Sequence, residues 1–354
     1  MTDFLCGVIE GFYGRTWPWP VRRSMIEFLH QQQFNAYVYA PKADRKLRSD
    51  WRHLHSAAEF EALLDLRAHC NAHSIQFGIG LSPSGLQVTY GADDRAALEK
   101  KIAHLNRLDS DVLCILFDDM PGAIADLAER QVSIVKDIMA MSSARRFVIC
   151  PSYYSFDPVL EQLFGAMPER YLETLGELLP KEVDIFWTGS LVLSPGYSVD
   201  DIDAITMRIG RKPMLWDNYP VNDGKRISRF LHLKPVRNRP PQLQQLCSGF
   251  LANPMNQPLL SQLPLASLAR NFYDEQYDAD CFWRNDLERF VDADLAALLR
   301  RDVERFQEQG LDTISELERE TLIEEYRGIA HPAAAEVIDW LQEGYRFDPA
   351  CLTS

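Results

Sequence analysis

The sequence predicts an α/β protein, a (β/α)8 TIM barrel followed by a C-terminal α-helical annex. Short apolar segments alternate with helix-like patterns eight times, which is typical of a parallel sheet built from βα units. Beyond residue 270 the strand pattern disappears, and residues 271–354 hold 8 basic and 21 acidic side chains, against 29 and 30 in residues 1–270. We therefore expect a barrel over residues 1–270 and an acidic helical annex over residues 271–354.

The eight strand candidates span about 265 residues, close to the length of roughly 250 that is usual for such a barrel. They are Leu5–Ile9, Ala36–Tyr39, Gln76–Leu81, Val112–Phe117, Phe147–Cys150, Asp184–Trp187, Pro213–Trp216 and Gly249–Ala252. Helical spacing lies between them, most clearly at Ser56–His73, Arg95–Leu108 and Ile124–Met141. A doubly wound open sheet is the structural alternative, but Glu10–Gly14 lacks the GxGxxG spacing expected after its first strand.

Three amphipathic helices are predicted in the annex, over residues 286–309, 312–329 and 333–346. Gly310 and Pro332 separate them. An apolar stripe on a helix needs a partner surface. We therefore expect the annex to dock on the barrel or on a second copy of the chain, and the second arrangement would be a homodimer through the annex.

Composition and charge exclude several classes of protein. A net charge of −14 argues against nucleic acid as a main partner. Seven cysteines without a CxxC pair indicate reduced thiols. The chain starts without a basic and apolar leader, and its longest uncharged stretch, residues 240–269, carries five prolines and so is unsuited to span a membrane. These features predict a cytoplasmic protein that does not engage a membrane.

Polar and aromatic residues follow every predicted strand. In a parallel barrel the strand ends converge on one face, where active sites lie. Carboxylates, amides, a lysine and aromatic rings together suit a sugar, whose ring has apolar faces and hydroxyl edges. The strand-end segments are Glu10–Arg15, Ala40–Lys42, Ser82-Pro83, Asp118-Asp119, Pro151–Tyr154, Trp187–Gly189, Trp216–Asn218 and Asn253-Pro254.

Asp118 and Asp119 form the chemical centre of this expected site. Two adjacent carboxylates after a buried apolar strand repel each other, so the pKa of one of them should be raised in a pocket of low dielectric. An acid and a base at the same pH are what cleavage of a glycosidic bond requires. Capping of the next helix, or binding of calcium, is the alternative role for such a pair.

The other polar candidates also have structural alternatives. Lys42 could be solvated or pair with Asp44, and Trp216 could pack in the core. Asn218 and Asn253 are unsuited to an apolar layer, so their amides should bond either to loop backbone or to a ligand.

Histidine spacing gives a weak metal signal. His69 and His73 have the i,i+4 spacing of a zinc-binding helix, but the glutamate of an HExxH motif is absent, and we interpret them as a surface pair. His53 and His55 resemble the metal pair of amidohydrolase barrels, yet they follow the second strand rather than the first. The sequence predicts no metal site and no cofactor, and it lacks the GxSxG motif of Ser-His-Asp hydrolases.

Taken together, these segments resemble the O-GlcNAcases, family 84 of the glycoside hydrolases. The resemblance runs in the family's order from about residue 5 to residue 270. Its segments are Gly7–Arg15 with Trp17, Tyr39–Lys42 followed by Asp44, Trp51 and Arg52, Leu116–Met120, Trp187–Gly189, Leu215–Asn218 with Asn222 and Asp223, and Asn253-Pro254. The chain departs from the family pattern at residues 230–239 and at Ala43, where a second aspartate is usual.

The resemblance implies a barrel that removes β-linked N-acetylglucosamine with retention, using the acetamido group of the substrate as the nucleophile. Asp118 would orient that group, and Asp119 would be the general acid and then the base. The implied substrate-binding residues are Tyr154 at the acetamido oxygen, Trp216 in the acetyl pocket, Gly11 and Lys42 near O3, and Asn218, Asp223 and Asn253 at the ring and its outer hydroxyls.

These observations predict a retaining exo-β-N-acetylglucosaminidase that acts on glycosides or glycoproteins bearing N-acetylglucosamine. An endo-acting, hyaluronidase-like enzyme is an alternative with the same chemistry. A barrel that binds amino sugars without turnover is the alternative from another class of protein. A pure binding protein would not need a general acid, and this argues against the last alternative.

Overall fold

Eight parallel strands close into a barrel in the computed structural model, which describes residues 4–353. Each strand pairs with the next along the chain, and β8 returns to pair with β1. The strands are β1 Leu5–Glu10, β2 Ala36–Tyr39, β3 Gln76–Leu81, β4 Val112–Leu116, β5 Arg146–Cys150, β6 Val183–Trp187, β7 Met214–Asp217 and β8 Gly249–Ala252. The predicted (β/α)8 fold is confirmed, and each predicted strand lies within one residue of the observed bounds.

Helices cover the outside of the barrel between the strands. They are α1 Trp19–Gln31, α2 Ala57–Ala72, α3 Ala92–Asn106, α4 Leu127–Met141, α5 Pro158–Phe164, α6 Tyr171–Leu178, α7 Val199–Ile209, the single turn α8 Leu243–Leu246 and α9 Pro258–Tyr273. The start of α2 is fixed by a capping box, in which Ser56 and Glu59 satisfy each other's backbone N–H groups. Within residues 4–353, no helix is both long and apolar enough to cross a bilayer.

The annex consists of the turn α10 Ala279–Cys281 and the helices α11 Ala293–Glu304, α12 Glu316–Arg327 and α13 Pro332–Leu341. The predicted single helix over residues 286–309 is wrong, because the chain leaves the helical conformation before Asp292 and starts again there. The Asp292 carboxylate accepts the N–H of Leu295 at 2.8 Å and so begins a new helix. The apolar spacing continues across this break, so the sequence pattern alone does not reveal it.

The annex packs on the barrel through a second apolar cluster. Leu231 and Leu233, from the loop after β7, join Leu260 and Leu263 of α9 in contact with the buried faces of α11 to α13. Glu336 of α13 also accepts the N–H groups of Leu259 and Leu260 at 3.0 and 2.9 Å, and thereby caps α9. Helix α9 continues past residue 270, so the two predicted regions share an element. The boundary at 270 and the homodimer remain predictions.

Candidate active site

The two adjacent aspartates after β4 have different partners. Asp118 forms an ion pair with the Nζ of Lys42, and both side chains are buried. Asp119 has a φ of 58°, a left-handed conformation that Asp tolerates better than most residues, and its carboxylate is directed to other groups. Its Oδ2 accepts the hydroxyl of Tyr13 at 2.7 Å, and its Oδ1 accepts the hydroxyl of Tyr154 at 2.9 Å. The backbone therefore directs two neighbouring carboxylates to different partners.

The electrostatics of Asp119 are those of a group that can carry a proton. Burial raises the pKa of its carboxyl above the ordinary value, and the charge of Asp118 raises it further. Lys42 and the two tyrosine hydroxyls oppose this rise, since they stabilise the ionised form. The predicted rise in the pKa of one carboxyl of the pair is therefore present in the structure, at Asp119.

Asp118 has an unused acceptor. Lys42 binds its Oδ2, whereas its Oδ1 is buried and has no hydrogen-bond partner among residues 4–353. A buried carboxylate oxygen without a donor is costly, so its presence in a cavity indicates a place where a ligand donor would bind. The predicted alternative for Lys42, pairing with Asp44, is wrong, because Asp44 bonds to Tyr39 and His55 instead.

One wall of the cavity consists of an aromatic ring held by two amides. The indole N–H of Trp216 donates to Oδ1 of Asn218 at 3.0 Å, and the amide of Asn253 donates to the same oxygen at 3.1 Å. Asn253 in turn accepts the N–H of Gly11 at 3.2 Å. A Cβ at Gly11 would overlap the Trp216 ring, so glycine is needed for this close approach. Some of the hydrogen-bonding groups of Asn218 and Asn253 are thus used to hold the Trp216 ring in place.

Asp223 closes the opposite part of the cavity. Its Oδ2 accepts the backbone N–H of Tyr13 at 2.7 Å, so it ties the loop after β7 to the loop after β1. Burial raises the pKa of Asp223 to about 6, although this hydrogen bond opposes the rise. Asp223 is therefore a second carboxyl in the cavity that changes its protonation state not far below neutral pH.

All nine predicted site residues line one cavity of about 40 Å³. Two other carboxylates at strand ends do not line this cavity. Glu10 pairs with Arg22 behind the barrel wall, and Asp217 pairs with Arg239, so both leave the cavity free of further fixed charge. The structure thus brings the predicted residues together, while the role of each in a reaction remains a prediction. Ala43, the departure noted in the sequence, lies in a neighbouring groove and does not line this cavity.

Residues that the sequence did not assign also line the cavity. Tyr13 lies within the strand-end segment after β1, but nothing in the sequence linked its hydroxyl to Asp119. Cys351 and Thr353 come from the C-terminal segment 345–353, which carries no periodic pattern. Within residues 4–353, no three metal-ligating side chains of this cavity lie within metal-binding distance of one another.

The C-terminal segment lies across the mouth of the cavity. Arg15 covers the ring of Tyr345 at 5.1 Å, and Asp348 holds a turn by accepting the N–H of Ala350 at 2.9 Å. Beyond this turn, the thiol of Cys351 is 3.9 Å from Oδ1 of Asp223, and Thr353 also lines the cavity. A cavity of about 40 Å³ holds only a few waters, whereas small-molecule pockets are usually about 300–1,000 Å³. With the segment in this position, the cavity is much smaller than such pockets.

The closed parallel barrel, with two aspartates at the carboxyl end of its fourth strand, places the chain in the class of (β/α)8 glycoside hydrolases. Residues 6–303 match the family model described as beta-N-acetylglucosaminidase. The chain therefore belongs to the β-N-acetylglucosaminidase family, and the resemblance noted in the sequence is confirmed.

Curated and solved relatives agree with this family. Protein O-GlcNAcase of Rattus norvegicus and that of Mus musculus are each 32% identical over 264 residues, which cover 71% of this chain and 28% of the relative. An O-GlcNAc hydrolase of Thermobaculum terrenum, solved with one aspartate replaced by asparagine, is 29% identical with a TM-score of 0.79. That match covers 96% of this chain and 81% of the solved one. This chain spans less than a third of the length of the curated relatives.

Proposed function

We propose that the protein is a retaining exo-β-N-acetylglucosaminidase that uses the acetamido group of its substrate as the nucleophile. The free, buried Oδ1 of Asp118 carries this proposal. An acetamido N–H is a donor that matches this acceptor, and Lys42 forms an ion pair with the other oxygen of the same carboxylate. A negative charge at that N–H stabilises the positive oxazolinium ion that forms when the carbonyl oxygen attacks the anomeric carbon.

The two aspartates have different parts in the first chemical step. The acetamido oxygen forms a bond to the anomeric carbon while the bond to the leaving oxygen breaks, and Asp119 gives its proton to that oxygen. In the second step Asp119 takes a proton from water, whose oxygen opens the oxazolinium ring at the same carbon and restores the acetamido group, which has kept its N–H proton throughout. Two displacements retain the β configuration. The raised pKa of Asp119 supports this role, because the group must exist in both protonation states.

The walls of the cavity support exo action. Asn218, Asp223 and Asn253 are polar groups suited to the outer hydroxyls of a terminal sugar, and Trp216 supplies an apolar surface for the acetyl methyl group. The endo-acting alternative would need a channel that admits a polymer. A pure sugar-binding barrel would have no need of Asp119, a buried carboxyl whose pKa is raised.

Substrate entry requires the C-terminal segment to leave the mouth of the cavity. If it competes with the sugar, Cys351→Ala and Thr353→Ala should lower KM for an aryl substrate and leave kcat nearly unchanged. Leu352→Ala is the matched control, because Leu352 lies between them and is 50% exposed. A higher KM in the Cys351 and Thr353 variants would instead make these residues part of the substrate site.

One assay separates the three candidate functions. We expect release of phenol from an aryl β-N-acetylglucosaminide, none from the matching β-glucoside, and no fall in the viscosity of hyaluronan. An internal nucleophile contributes several kcal/mol or more, so its loss in the glucoside should abolish turnover. Rapid loss of viscosity would show an endo enzyme, and binding without release would show a sugar-binding barrel. Glycosides or glycoproteins that carry N-acetylglucosamine are the proposed partners, and the cytoplasmic location stays a prediction.

A further inference from the structure

A cluster of metal-ligating side chains lies on the outside of the barrel, away from the proposed active site. Glu27 comes from α1, whereas His69 and His73 come from the C-terminal end of α2. Helices α1 and α2 pack side by side, and residues four apart on a helix face the same way. The carboxylate that the histidine pair lacks in its own helix is therefore supplied by a neighbouring helix.

The separations within the cluster suit a tetrahedral metal ion. One ligand atom from each of the three residues lies within 4.8 Å of the other two. The Nε2 of His69 is 3.3 Å from a carboxylate oxygen of Glu27. Zinc binds histidine nitrogen and carboxylate oxygen at about 2.0–2.1 Å, and tetrahedral angles then separate two such ligands by about 3.3 Å. The pair already has the spacing that a shared zinc ion would give it.

The hydrogen bonding leaves both rings with a nitrogen to offer. Nδ1 of His73 is 3.0 Å from the backbone carbonyl of His69, and a carbonyl only accepts, so the lone pair of neutral His73 lies on Nε2. The Nε2 of His69 is buried and makes no hydrogen bond within residues 4–353, although it lies near the Glu27 carboxylate. A buried nitrogen that makes no hydrogen bond needs an explanation, and a cation shared with the Glu27 carboxylate supplies one.

The surrounding charge also favours a cation. Glu27 lies in the last turns of α1, and His69 and His73 lie at the C-terminal end of α2. The carbonyl groups at these two helix ends carry partial negative charge. His30, at the end of α1, adds a further imidazole nearby, with its ring centroid 5.8 Å from that of His73. The side chain of Glu27 is 49% exposed, so an ion can enter from solvent.

We propose that Glu27, His69 and His73 bind a zinc ion that links α1 to α2, with water at the fourth position. This proposal departs from the sequence interpretation of His69 and His73 as a surface pair. The sequence did not reveal it because Glu27 precedes the histidines by more than 40 residues and lies on another helix. The site is independent of the proposed catalytic function.

The test measures zinc binding to the full chain by titration calorimetry, after removal of metal with a chelator. We expect one zinc ion per chain, a rise in the unfolding temperature on adding zinc, and at least tenfold weaker binding in His69→Ala and in His73→Ala. Glu27→Gln, which keeps the size of the side chain, should also weaken binding. His53→Ala is the control, because His53 is exposed and lies outside the cluster.

Cobalt provides a second readout that does not depend on stability. Tetrahedral cobalt with these ligands should give visible absorption that disappears in the His69 and His73 variants but remains in the His53 variant. The proposal is wrong if zinc binds equally well to all the variants, or if the unmodified chain binds it only at millimolar concentrations. Unchanged hydrolysis of the aryl substrate in each variant would show that the variants are folded.

Discussion

The hydroxyl of Tyr13 should set the pH range in which Asp119 can act as an acid. Tyr13→Phe removes the donor that lies 2.7 Å from Oδ2 of Asp119, and this bond favours the ionised carboxylate. A hydrogen bond to a charged group contributes about 1.5–3 kcal/mol, and one pKa unit corresponds to about 1.4 kcal/mol. The pKa of Asp119 should therefore rise by about one to two units in the variant.

The direction of the shift follows from the charge states. Asp119 must be protonated to donate, so a higher pKa keeps it active to higher pH, and the basic limb of the kcat/KM profile should move upward by the same amount. The groups that also face Asp119 are kept in the variant, namely Asp118, Lys42, Asp223, Tyr154 and Cys351. Loss of the polar hydroxyl makes the site drier, which shifts the pKa in the same direction.

The assay is kcat/KM for an aryl β-N-acetylglucosaminide, measured from about pH 5 to about pH 10. Tyr153→Phe is the matched control, because its hydroxyl donates to the carbonyl of Gly165 at 2.6 Å and not to Asp119. The basic limb of this control should coincide with that of the unmodified protein. A limb that stays in place or moves downward in Tyr13→Phe would refute Asp119 as the group that titrates there.

Three further predictions concern other groups. Asp119→Asn should slow cleavage of alkyl glycosides by about 10²–10⁴-fold but have little effect on glycosides of strongly acidic phenols, which leave without a proton. Asp118→Asn should slow cleavage by a similar factor for every leaving group. A plot of log kcat/KM against leaving-group pKa for each variant checks both expectations. Burial raises the pKa of Glu336 to about 7, so the protonated form favours folding and its contribution falls as pH rises from about 4.5 to about 7. In the unmodified protein, the free energy of unfolding should therefore fall by about 3 kcal/mol across that pH range. The Glu336→Gln variant, measured by urea unfolding, should not show this fall. Gly11→Ala should push Trp216 aside and lower kcat/KM by about 10²-fold in the same aryl assay, with little change in the unfolding temperature.

The strands could be predicted closely because each is an apolar run bounded by polar or turn residues. The end of the chain shows the limit of this approach. Apolar spacing continues through Phe290 and Leu295, and only the capping contact of Asp292 shows that the helix is interrupted. Periodicity reports which face of a segment is buried, and it does not report whether the backbone between two buried residues stays helical.

The site could be predicted as a set because barrel topology brings the ends of successive strands to one face. The ion-pair partner of each individual carboxylate could not be predicted from the sequence. Glu10 and Asp217 follow the same rule as Asp118, but Arg22 and Arg239 bind them elsewhere. These pairings depend on which way each side chain points at the barrel rim, and a one-residue difference in register reverses that direction.

The C-terminal segment changes the meaning of a measured affinity. If Cys351 and Thr353 compete with a sugar as proposed, they do so at a fixed effective concentration, because they belong to the same chain as the barrel; for a short tether that concentration is in the millimolar range. Diluting the protein does not relieve such competition. The apparent dissociation constant of any sugar equals its constant for the open cavity divided by the fraction of molecules that are open. Ligands for this cavity should therefore be ranked by their ratios of affinity within this chain, since the open fraction cancels in such a ratio.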